Sequence, residues 1–154
     1  MKLLQQTILI SFLVMVIHGT AQTSPSDSTQ VVKTLKELLN ICKIDYADPN
    51  TGTAGKNAAQ YIVYRGENKS RKWKEFADYS KNEDKQGVDQ ICLRINSSIN
   101  LDKNYEIIQY LSETESEGKW HIIIISYNQN GTKKQAAFAF LKIIGRFALG
   151  DIDE

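Results

Sequence analysis

From Thr29 the apolar residues Val31, Val32, Leu35, Leu38, Leu39 and Cys42 recur at spacings of three and four, which gathers them on one face of a helix. Ser28 or Thr29 is placed to cap that helix. The stretch Asp45 to Gly55 holds Asp48-Pro49-Asn50 and glycines, and it turns the chain. Sparser apolar clusters follow at Ala58, Ala59, Tyr61, Ile62 and Tyr64, at Trp73, Phe76 and Tyr79, and at Val88, Ile91, Cys92 and Ile95. Each fits a short helix with one buried face, with Gly66 and Gly87 as punctuation. After Asn100 the pattern changes. Tyr105 to Leu111, Trp120 to Tyr127, Gln135 to Ile143 and Phe147 to Ile152 are runs rich in Ile, Tyr, Phe and Trp that read as strands. Glu113 to Gly118, Asn128 to Gly131 and Ile144-Gly145 link them, and Gly and Asn supply the positive φ that antiparallel hairpins need. The order predicts an α+β domain, with N-terminal helices packed on a curved four-stranded antiparallel meander, a half barrel.

Along the second strand Trp120, Ile122 and Ile124 point one way and His121, Ile123 and Ile125 the other, so both faces of the sheet are apolar. One face packs on helices. The other is expected to meet a pocket, a protein partner or a second copy in a homodimer, because a soluble monomer seldom leaves such a surface wet. Ala137 and Ala139 leave room beneath the helices or inside a cavity.

Before Thr29 the chain has a different character. Lys2 precedes an apolar run from Ile8 to Ile17, and His18-Gly19-Thr20-Ala21 ends in small residues, the layout of a cleavable signal peptide over residues 1–21. The run is shorter than the roughly 18 to 20 residues of a spanning helix. Residues 22–28 read as a polar, disordered leader and 29–154 as a single domain. The expected product is secreted or periplasmic, with no membrane span after cleavage. In such a compartment thiols oxidise, so Cys42 and Cys92 are read as one disulfide rather than as a nucleophile assisted by His121.

The whole chain has 19 Lys and Arg against 18 Asp and Glu, and loss of Lys2 with the signal balances them. Neutral charge argues against a nucleic-acid partner, although Lys69, Arg71, Lys72 and Lys74 bracket Trp73; the expected role of Trp73, Phe76 and Tyr79 is a helical core face. Cysteine and histidine are too few for a zinc cluster, and no metal or other cofactor is expected. Asp151 to Glu154 read as a solvated terminus rather than a calcium loop.

The run Phe138 to Phe147, in which Lys142, Gly145, Arg146 and Phe147 follow an aromatic-x-aromatic strand, resembles the last hairpin of the cone-shaped nuclear-transport-factor-2-like superfamily. Phe147 to Asp153 is also similar to the ends of small exported proteins of the Bacteroidetes group. The resemblance implies a cone with an internal pocket. Enzymes of the superfamily, such as ketosteroid isomerases and polyketide cyclases, set an acidic base and a hydrogen-bond donor in that cone, but none of their catalytic motifs matches here. Asp78, Asp89 and His121 are the nearest in residue type. Cystatin-like inhibitors offer a second α+β comparison, but their Gln-x-Val-x-Gly loop is missing.

The expected function is therefore a non-enzymatic exported module that binds a small apolar ligand or a protein partner. Tyr61, Tyr64, Tyr110, His121 and Phe140 are the pocket candidates, being aromatic rings able to line a cavity and orient a ligand. No catalytic residue is assigned. The alternative is a small cone-fold isomerase, cyclase or hydrolase that uses His121 or an acidic residue as general base.

Overall fold

A computed structural model describes residues 25–46, 54–98 and 105–154. The expected signal segment 1–21 lies outside the described residues, as do positions 22–24 of the leader. Helix α1 (Pro25–Tyr46) starts four residues before the expected stripe, so residues 25–28 are helical rather than leader, and Ser28 and Thr29 lie inside the helix instead of capping it. Proline suits a first turn, where its missing N–H has no intrahelical partner to lose. The predicted face is buried, with Val31, Leu35, Leu38, Leu39 and Cys42 at most 2% exposed. Burial of each large aliphatic side chain there contributes about 1.5–3 kcal/mol.

Two further helices follow, α2 (Ala54–Ala59) and α3 (Asn82–Ser98). Gly87 lies within α3 rather than at a boundary. Cys42 of α1 and Cys92 of α3 form the expected disulfide, Cα atoms 4.9 Å apart. Asn96 Nδ2 donates to the Cys42 and Cys92 carbonyls at 2.7 and 3.0 Å, so the same two helices are also joined by a side-chain amide.

The third expected helix, over Trp73, Phe76 and Tyr79, does not form. Residues 61–77 instead make a looped hairpin against the edge of the sheet. Val63 N–H donates to the Leu149 carbonyl and Leu149 N–H to the Tyr61 carbonyl, while Tyr64 N–H bonds to Glu75 and Ala77 N–H to Ile62. Those backbone groups are spent across strands, and Trp73 takes a positive φ of 66° that no helix accepts. Spacing of three suits a helix, but packing on the sheet overrides it.

Four strands close the chain: β1 (Glu106–Glu115), β2 (Gly118–Gln129), β3 (Thr132–Ile143) and β4 (Arg146–Asp153). They form one antiparallel sheet in the order β1-β2-β3-β4, which makes the protein an α+β domain with the expected meander. Asn130-Gly131 and Ile144-Gly145 turn the second and third hairpins with positive φ at both residues. Phe138 faces Ile123 and Phe140 faces His121 in the register of β2 and β3. That face, with Ile125, Tyr127 and Leu149, packs on α1 to α3. The opposite face carries a second cluster of Val63, Trp120, Leu141, Ile143 and Ala148, against which Trp73, Phe76 and Ala139 pack. Ala139 thus makes room for the 61–77 hairpin, not for a helix. Segment 61–63 covers the β4 edge, whereas among the described residues β1 is paired only with β2.

The C-terminus is ordered into β4 rather than fraying. Arg65 pairs with Asp151 at 3.1 Å and Arg94 with Glu154 at 3.0 Å. No described helix is long and apolar enough to cross a membrane.

Candidate functional site: a groove between α3 and the edge segment

Helix α3 leans over the end of the sheet without closing on segment 62–66, and a cavity of about 460 Å³ opens between them. Its floor is Ile62, Val88, Ile91, Leu149 and Ile152; Arg65, Glu83, Gln86, Gln90, Arg94 and Asp151 stand around it. The helix supplies this wall because Glu83, Gln86, Gln90 and Arg94 recur at three and four residues, a polar stripe beside the buried one. Arg65 and Arg94 are partly exposed, and their ion pairs with Asp151 and Glu154 sit at the surface, where such pairs contribute little and exchange readily.

One wall is held rigidly. Asp84, 4% exposed, accepts two bonds from the Arg71 guanidinium at 2.8 and 3.2 Å and one from Asp78 N–H at 2.7 Å. Burial pushes the Asp84 carboxyl up, but Arg71 and the Asp78 N–H outweigh it, so its pKa lies below the usual carboxylate value. Arg71 also lies over the Tyr64 ring at 3.8 Å. The Tyr64 hydroxyl donates to the Glu83 carboxylate at 3.0 Å and accepts from Asn68 N–H at 3.1 Å. Glu83 can come this close because position 66 is glycine; a Cβ there would collide with the carboxylate.

Of the five sequence-derived pocket residues, Tyr64 lines the groove. Tyr110, His121 and Phe140 come together elsewhere, on the helix-facing side of the sheet. His121 is 1% exposed, its Nδ1 lies 2.7 Å from the Tyr110 hydroxyl, and its ring meets Phe147 edge to face at 4.8 Å. Phe140 is fully buried beside it. These three fill core instead of lining the groove. Tyr61 is half-buried against the main core, and burial pushes its phenol up. Burial lowers the His121 pKa, Lys119 and Lys142 act in the same direction, and Asp27 opposes them. Asp78 accepts from Ser80, and Asp89 accepts from the Tyr79 hydroxyl at 3.0 Å, so both carboxylates serve turns and helix contacts. Among the described residues no group of three or more His, Cys, Asp or Glu is placed to hold a metal ion.

Sequence reasoning missed Arg65, Gln86, Gln90 and Arg94. Their helical spacing was the available signal for the last three, yet a polar stripe is also what any solvated helix face shows.

No family model matches the chain, and no curated protein or solved structure matches it.

Proposed function

We propose that the protein is an exported, non-enzymatic binding module that holds a small, largely apolar ligand with an anionic end in the α3 groove. The observation that carries this reading is the groove itself, an apolar floor flanked by two arginines that pair with the carboxylates of Asp151 and Glu154 near the surface. Binding sites commonly combine an apolar lining with a few polar groups that fix orientation. Export is supported by the α1–α3 disulfide, a bond that persists in oxidising compartments. Kinship with the cone-shaped nuclear-transport-factor-2-like superfamily belongs to the same proposal, and the order of helices before an antiparallel meander supports it.

Anilinonaphthalene sulfonate, an apolar ring system with one anionic group, is a suitable probe. Saturable enhancement of its fluorescence at native pH is expected. Ile91→Tyr, which fills the groove, and Arg94→Glu, which reverses the charge beside it, should each weaken binding about tenfold. Undiminished dye binding in both variants would move the site elsewhere.

A protein partner, including a second copy, is the second reading. It is favoured by β1, an edge strand on which Ile107, Ile108 and Leu111 are 36–44% exposed.

A further inference from the structure

The 61–77 hairpin brings the two tryptophans of the chain together on the outer face of the sheet. Trp73 and Trp120 meet edge to face, ring centroids 5.3 Å apart. Three features set this pair apart. Trp73 sits at φ 66°, a left-handed conformation that is costly for a bulky L-residue and persists only where the surroundings enforce it. Here the Trp73 N–H is tied to the Tyr64 carbonyl, and Arg71, two residues earlier, is clamped to buried Asp84. Trp120 is 7% exposed, yet its indole N–H reaches no acceptor among the described residues, where buried donors are almost always satisfied. Gly150, the extra residue of a bulge in β4, lets the Trp120 ring lie directly against the strand backbone, since a Cβ there would collide with that ring.

Charge defines what would be drawn to this place. Arg65 and Lys72 lie 5.4 and 5.8 Å from the Trp73 ring centroid. Lys69 and Lys74 are exposed close by in sequence, in a chain whose net charge as a whole is +1. We propose that Trp73, Trp120, Arg65 and Lys72 form a binding site for an acidic saccharide, a sugar ring bearing a carboxylate. The C–H face of a pyranose packs on an indole face, the carboxylate replaces Asp151 on Arg65 and approaches Lys72, and a sugar oxygen accepts the orphan N–H of Trp120 once Trp73 moves aside. That movement also releases the left-handed backbone. A nucleic-acid strand fits less well. It requires successive stacking platforms along a basic track, and here Trp73 offers one half-buried indole.

The site shares Arg65 with the groove, but Trp73, Trp120 and Lys72 do not line that cavity, so variants at these positions separate the two readings. Because the chain has two tryptophans and both are here, indole emission of the native protein reports on the Trp73–Trp120 pair. Titration with a short oligogalacturonate should give a saturable change in emission that a neutral glucan oligosaccharide of equal length does not. Lys72→Gln combined with Lys74→Gln should weaken the uronate about tenfold while leaving dye binding in the groove intact. Trp73→Ala should abolish it, with circular dichroism confirming the fold; should that variant unfold, the lysine pair carries the test. No saturable change, an equal response to the neutral sugar, unaltered affinity in the lysine variant, or tighter binding of oligodeoxythymidylate than of the uronate would each overturn the proposal.

Discussion

His121 shows how one residue can be read correctly in direction and still be misjudged in role. Alternation along β2 puts it on the face of Ile123 and Ile125, and it lies there, but both faces of β2 are apolar and the sequence does not say which one the helices cover. It is a core residue hydrogen-bonded to Tyr110. Its consequence is pH dependence. Burial holds the native pKa below the ordinary 6.5. As pH falls through that ordinary value the unfolded chain takes up a proton that the native state refuses, so stability is lost until the native pKa is reached and then levels off. The carboxylates Asp27, Asp78 and Asp84, whose native pKa values are lowered, act only below about pH 4. Thermal melts should therefore show a drop that sets in as pH falls through about 6.5 and that His121→Phe removes, at a cost of about 1 kcal/mol at neutral pH for the lost Tyr110 bond. Persistence of the drop in His121→Phe would assign it to another group.

Among the elements, the strands were legible and the 61–77 hairpin was not. Apolar runs rich in Ile, Tyr, Phe and Trp and Gly-containing turns specify β2 to β4 locally, so their predicted and observed bounds agree within a few residues. Trp73, Phe76 and Tyr79 repeat every three residues, yet their conformation is set by β4 and the outer sheet face, partners distant in sequence. The groove has the same cause. It exists because this hairpin, and not a helix, occupies the β4 edge, so its arginines could not be paired by inspection of the chain. Turn chemistry offers a direct check. Asn130-Gly131 is a favoured pair for two successive positive φ values, but the equivalent turn has Ile144 at φ 48°, and its side chain is 92% exposed. A β-branched residue there bears backbone strain and buries nothing in return. Ile144→Asn should raise stability by about 1 kcal/mol in urea unfolding. An unchanged or lower midpoint would show that the isoleucine has a compensating contact.

At the scale of the whole molecule, one covalent link governs the parts proposed to bind ligands. The Cys42–Cys92 bridge closes a loop with a sequence separation of 50, and that loop contains α2, the 61–77 hairpin and the first part of α3. Pairing was readable because two cysteines follow an apparent export signal; that the bond would clamp α1 to the helix forming the groove wall was not, since no local pattern positions α3 against α1. In the chain-entropy model, closing a loop of this length stabilises the fold by about 4 kcal/mol. The native state retains other ties between the same helices, with Asn96 bonded to both cysteine carbonyls and Val31, Leu35, Val88 and Ile95 buried in one core. Reduction is therefore expected to lower the urea midpoint by the equivalent of about 3–4 kcal/mol while the protein stays folded in buffer. Dye affinity of the groove should fall with it, because α3 can then move away from segment 62–66. A Cys42→Ala, Cys92→Ala variant serves as the control that needs no reductant. If reduced protein binds the dye as tightly as oxidised protein, packing of α1 on α3 suffices to shape the groove, and the disulfide acts on the unfolded chain alone.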